Sequence, residues 1–174
     1  MEKKLKATKA ATICYGFGDL ASQFVWTYVG SYLTIYYTDI VGLAPAAVSV
    51  IMMLARIWDA INDPMMGAIA ERTRSKFGRF RPYIAFGAPF LAIFSVLTFT
   101  NPFSGKSTAG VIWAAAIYII AGMLYTLVNI PYGAMASAIT DKPDERQSLI
   151  TFRAMGAYIG EFIIGFFGPI IIYE

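Results

Sequence analysis

From Ser107 to Thr140 the chain carries no Asp, Glu, Lys or Arg. A helix needs about 20 mostly apolar residues to cross the hydrocarbon core of a bilayer, and this run exceeds that. It is not alone. Leu20 to Thr38, Ile40 to Ala55 and Pro82 to Gly105 are also uncharged, and Ala154 to Gly160 and Phe162 to Tyr173 flank a lone Glu161. Composition agrees: 57% of residues are hydrophobic and 14% charged, against about 45–50% and about 25% in a soluble domain. The 16% aromatic content excludes intrinsic disorder. The single cysteine, Cys14, excludes a disulfide scaffold, and with no histidine there is no histidine-based catalysis or metal site. A net charge of +3 is too small and too unevenly placed for a nucleic-acid partner. The expected class is an all-α integral membrane protein, with membrane lipid as its surroundings.

Five helices are expected, near 11–38, 45–70, 83–101, 110–138 and 148–172, forming one bundle over 11–174 behind an N-terminal arm of residues 1–10. The connections are short and marked by breakers such as Gly42, Pro45, Pro102 and Pro143. None has room for a soluble domain. The first apolar segment is longer than the core of a signal peptide and is interrupted by Asp19, so it is expected to stay in the membrane.

The basic residues alternate in side. Lys3, Lys4, Lys6 and Lys9 precede the first helix. Arg72, Arg74, Lys76, Arg79 and Arg81 follow the second, and Lys142 and Arg146 follow the fourth. The first loop has no Lys or Arg, and the third has only Lys106. By the positive-inside rule the arm is cytoplasmic, which makes this a multi-pass protein of the cell membrane.

Six ionisable residues fall inside the expected spans: Asp19, Arg56, Asp59, Asp63, Arg153 and Glu161. Each costs about 2.5–3.5 kcal/mol at mid-helix on the insertion scale, so such residues face a cavity or a partner. Arg56, Asp59 and Asp63 follow i, i+3, i+7 and share a helix face, with Asn62 at its edge. Two carboxylates one turn apart with an amide oxygen nearby offer hard oxygen ligands to a small cation, or a place for a proton. The alternative is structural: Arg56 neutralises an aspartate and the group locks helices together. Arg153 either snorkels to the interface or points inward to a polar substrate. Asp19 is either functional or a residue near the water interface.

The fourth helix adds a polar segment, Tyr125-Thr126-Leu127-Val128-Asn129-Ile130-Pro131-Tyr132-Gly133. Thr126 and Asn129 share a face, as do Tyr125 and Asn129, and Pro131 frees a carbonyl near Leu127. This pattern suits a substrate cavity, or else plain helix–helix hydrogen bonding. The aromatics of the first helix, Trp26 to Tyr37, are read as belt or core.

These residues resemble a known family. Arg56-Ile-Trp-Asp-Ala-Ile-Asn-Asp-Pro-Met-Met-Gly67 is similar to the second-helix signature of the glycoside–pentoside–hexuronide:cation symporters, and Arg72-Thr-Arg-Ser-Lys-Phe-Gly-Arg-Phe-Arg-Pro-Tyr83 to the loop after it. Tyr15-Gly-Phe-Gly-Asp19, Asn129-Ile-Pro-Tyr-Gly133, Glu145-Arg146 and Arg153 resemble further landmarks. The family belongs to the major facilitator superfamily, whose loop pattern Gly67, Glu71 and Arg72 echo. The resemblance implies two six-helix halves and alternating access; with no metal motif, no nucleophile–base pair and no Walker-type loop in the connections, enzyme activity is not expected. On the resemblance, this chain is an incomplete N-terminal six-helix half, a piece of the carrier that does not transport alone.

Carried over by position, Asp59, Asn62, Asp63 and Thr126 match the cation site, with Na+, or H+ or Li+, held at Asp59 and Asp63 and no other cofactor. Gln23, Tyr125, Asn129 and Arg153 match sugar-binding positions for a sugar or glycoside substrate. Asp19, Arg56, Gly67, Glu71, Arg72, Gly78 and Arg79 are gate or structural residues. The chain departs from the melibiose type at Gln23 and Asn129, where that type has acids, and at Gly133, where it has tryptophan; there it looks more like relatives of the glucuronide and pentoside type. A different class of reading is an ion-conducting or assembly module with no sugar cycle.

Overall fold

A computed structural model describes residues 8–103 and 107–173, and its secondary structure is helical throughout. The helices are α1 (Lys9–Ile35), which runs on into a π-helical turn (Tyr36–Ile40), α2 (Pro45–Arg72), α3 (Arg81–Thr98), α4 (Thr108–Ile139) and α5 (Pro143–Tyr173). Most of the arm, including Lys3, Lys4 and Lys6, lies outside the described residues, as does Lys106.

Local chemistry explains the boundaries. Thr8 Oγ1 accepts from Ala11 N at 3.2 Å, so α1 starts at Lys9 rather than 11. Ser107 caps α4 in the same way, accepting from Gly110 N at 3.1 Å. Gly42, at φ 77°, takes the left-handed turn before α2, and Pro45 occupies that helix's first turn. The largest difference from the sequence reading is α5, which begins at Pro143 and not near 148. Pro143, Asp144 and Glu145 look like a loop by composition. They are a helix start, because proline needs no N–H there and carboxylates favour the positive end of the helix dipole. Thr140 supports the start: its Oγ1 accepts from Lys142 N at 3.2 Å and donates to Glu145 Oε2 at 2.8 Å.

By length and composition, α2, α3, α4 and α5 can each cross a membrane. At 27 residues α1 is long enough, but Asp19, Ser22, Gln23 and Thr27 make it less apolar.

The chain forms two compact units, one of residues 29–131 and one of 1–28 with 132–174. In the first, Leu33, Tyr37, Leu43, Val48, Ile51 and Leu91 are buried, as are Ala114 and Ala121 of α4. Tyr37 donates to Ala114 O at 3.3 Å, and Trp113 Nε1 donates to Thr100 O at 2.7 Å. Gly87 of α3 lies against Leu127 and Val128 of α4. In the second unit α1 and α5 approach on glycines: the Gly16 carbonyl fills the space where a Cβ on Gly156 would stand, and Gly160 lies over Leu20 O. Small residues permit such backbone contact between membrane helices.

Candidate functional site

In the unit of residues 29–131, the acids of α2 meet a hydroxyl of α4. Thr126 is 4% exposed and donates to Asp63 Oδ1 at 2.8 Å. The hydroxyl proton goes to the carboxylate, and the oxygen's lone pairs remain for a cation. Asp59, one turn earlier, is half-buried. Its partner Arg56 is 4.0 Å away and 68% exposed at the side chain, a loose and open pair of the kind that contributes little. Asn62 Nδ2 is buried and meets no acceptor among the described residues. A half-turn of that amide would present Oδ1 at the same point. The structure thus joins the Asp63 carboxylate of α2 to a hydroxyl of α4, with Asp59 one turn away and Asn62 next in sequence.

On α4, Asn129 Nδ2 donates to the hydroxyl of Tyr125 at 2.8 Å, as the i, i+4 spacing predicts. Pro131 is fully buried.

The unit of residues 1–28 and 132–174 carries the other charges. Asp19 is buried, and its Oδ1 lies 3.2 Å from Arg153 Nε. Arg153 therefore points towards α1 and its buried carboxylate. Its guanidinium lies 5.6 Å from the centre of the Tyr132 ring, close enough for a cation–π contact. Nη1 occupies the space a Cβ on Gly133 would need. Gln23 is half-buried on α1, whereas Glu161 is exposed on α5.

Two residues inside the quoted motifs have a role the sequence did not reveal. Tyr15 donates to Tyr132 O at 2.7 Å, and Tyr132 donates back to Tyr15 O. Their rings stack at 4.7 Å and 20°. Each tyrosine gives a second donor to a main-chain carbonyl on the other's helix, joining α1 to α4. A pairing across so many residues leaves no trace in local spacing.

The loop after α2 is a turn. Gly78 N donates to Ser75 O at 3.1 Å, Ser75 Oγ donates to Gly78 O at 2.6 Å, and Gly78 has φ 95°. Glycine is required there. Arg79 lies over the Phe80 ring, and Glu71 and Arg72 are exposed at the end of α2. Gly67 faces Ile130, whose Cγ2 would be 3.8 Å from an added Cβ. Among the described residues, Arg72, Arg74, Lys76, Arg79 and Arg81 form no ion pair.

Residues 14–173 match the family model described as MFS/sugar transport protein. The chain belongs to that family. It is 38% identical to an uncharacterized symporter of Bacillus subtilis, over 98% of this chain and 36% of the relative. It is 40% identical to a putative glycoside/cation symporter of Escherichia coli, over 87% of this chain and 33% of the relative. It is 32% identical to a sodium-dependent lysophosphatidylcholine symporter of Gallus gallus, over 94% of this chain and 32% of the relative. The chain thus spans about a third of the length of these relatives. They are transporters, not enzymes, and the family together with the apolar helices makes this a multi-pass membrane protein.

Proposed function

We propose that the chain forms part of a secondary active transporter that couples uptake of a sugar (a glycoside, pentoside or hexuronide) to a cation by alternating access, with its N-terminus cytoplasmic in the cell membrane. One observation supports this most: Thr126 of α4 bonds to Asp63 of α2 beside Asp59 and the buried amide of Asn62. A pair of carboxylates in an apolar helix is costly unless something neutralises it, and the loose, open pair with Arg56 offsets at most one of the two charges. A cation supplies the charge.

In this account Na+, or a proton, binds to the oxygens of Asp59 and Asp63, with Thr126 and Asn62 completing its shell. Neutralising the carboxylates lowers the cost of enclosing them in a dry cavity. Tyr125, Asn129, Gln23 and Arg153 are the proposed sugar-binding residues, since they supply neutral donors and acceptors and one guanidinium to hydroxyl groups. Coupling requires each ligand to bind better when the other is present, and thermodynamic linkage makes that reciprocal.

Uptake of a labelled glycoside by the full-length carrier, with and without a Na+ or H+ gradient, tests the proposal. Gradient-driven accumulation that disappears in Asp59→Asn and Asp63→Asn is the expected result. Accumulation that survives both substitutions contradicts it.

A further inference from the structure

Arg153 is already paired before any substrate arrives. Asp19 is 4% exposed, and its Oδ1 faces Arg153 Nε at 3.2 Å without a hydrogen bond to another described residue. A carboxylate buried among apolar helices requires a compensating charge, and the guanidinium supplies it. Two neighbours hold Arg153 in that place. Tyr132, itself fixed by the reciprocal bonds to Tyr15, lies under the guanidinium, and the absence of a side chain at Gly133 leaves room for Nη1. The Arg153 side chain is 26% exposed and that of Asp19 only 6%, so the guanidinium is the more accessible member of the pair. Its positive charge is offset by the buried carboxylate beside it.

We infer that the Asp19–Arg153 pair makes the sugar site proposed above selective for uncharged glycosides over hexuronides, with Asp19 as the positioning residue that sets the preference. A sugar hydroxyl needs only a donor or an acceptor. A hexuronide brings a carboxylate whose desolvation must be offset by net positive charge. The paired guanidinium carries none to spare, and the carboxylate of Asp19 repels the newcomer. This inference rests on Arg153 belonging to the sugar site.

The test is direct binding of p-nitrophenyl β-glucoside and p-nitrophenyl β-glucuronide to the full-length carrier. The two sugars differ only at C6, a hydroxymethyl against a carboxylate. The wild type is expected to bind the glucoside at least tenfold more tightly. In Asp19→Asn the ratio should move at least tenfold towards the glucuronide, and in Asp19→Glu it should stay near the wild-type value. A purely structural role for Asp19 would weaken both ligands alike. A wild type that binds the glucuronide as tightly as the glucoside overturns the inference, whether or not Asp19→Asn folds. An unchanged ratio in folded Asp19→Asn overturns it too. Folded Arg153→Gln separates the two layers: loss of glycoside binding supports Arg153 in the sugar site, and unchanged binding overturns that assignment together with the inference.

Discussion

The hydroxyl of Thr126 donates to Oδ1 of Asp63 at 2.8 Å, tying the fourth helix to the acidic face of the second. A hydrogen bond to a charged group contributes about 1.5–3 kcal/mol. Thr126→Val removes both that bond and an oxygen ligand while nearly keeping the volume. The expected outcome is a Na+ affinity roughly ten- to a hundredfold weaker, measured as the Na+ concentration that half-saturates glycoside binding. Thr126→Ser keeps the hydroxyl and should stay within a few-fold of the wild type.

The tyrosine clasp is a matter of stability. Tyr132→Phe leaves the stacked rings but removes the bond from its hydroxyl to Tyr15 O, and Tyr15→Phe removes the bond to Tyr132 O. A hydrogen bond of this kind contributes about 0.5–1.5 kcal/mol net. Each variant should lower the Tm of the purified protein in detergent. An unchanged Tm in both would show that the clasp does not hold α1 to α4.

Two glycines of α5 should behave oppositely. At Gly156 an added methyl meets the Gly16 main chain, which cannot move aside as a flexible side chain does, so Gly156→Ala forces α1 and α5 apart and lowers the Tm. At Gly165 nothing lies within 4 Å, and alanine is favoured over glycine in a helix by roughly 0.5–1 kcal/mol. Gly165→Ala should leave the Tm unchanged or raise it. Equal losses from both would contradict the close approach at Gly16.

Gly78 tests the loop separately from the cation site. At φ 95° an alanine is strained, so Gly78→Ala should lower the Tm while leaving the Na+ dependence of glycoside binding intact. A shifted Na+ dependence would mean that the turn acts on the site itself.

Much of this was legible in the sequence because the bilayer imposes simple rules. The uncharged run from Ser107 to Thr140 marks α4 to within one residue at each end. The spacing of Arg56, Asp59 and Asp63 places them on one face without reference to any neighbour, and Tyr125 and Asn129 meet as their spacing demands. What stayed hidden depends on distant partners or on the dual use of a residue type. Pro143 ends a helix in one setting and starts one here. The partner of Asp19 lies on another helix, so its burial beside Arg153 cannot be read from the first helix alone. The Tyr15–Tyr132 clasp and the glycine contacts are properties of packed backbones, which local sequence does not encode.

The central claim is that Asp59 and Asp63 hold the coupling cation. Glycoside affinity of the full-length carrier measured across a Na+ titration, together with Na+ affinity across a glycoside titration, tests it most directly. The account predicts that each ligand tightens the other by the same factor in the wild type, and that Asp63→Asn still folds but loses both effects. An Asp63→Asn carrier that keeps the same mutual tightening would place the cation elsewhere.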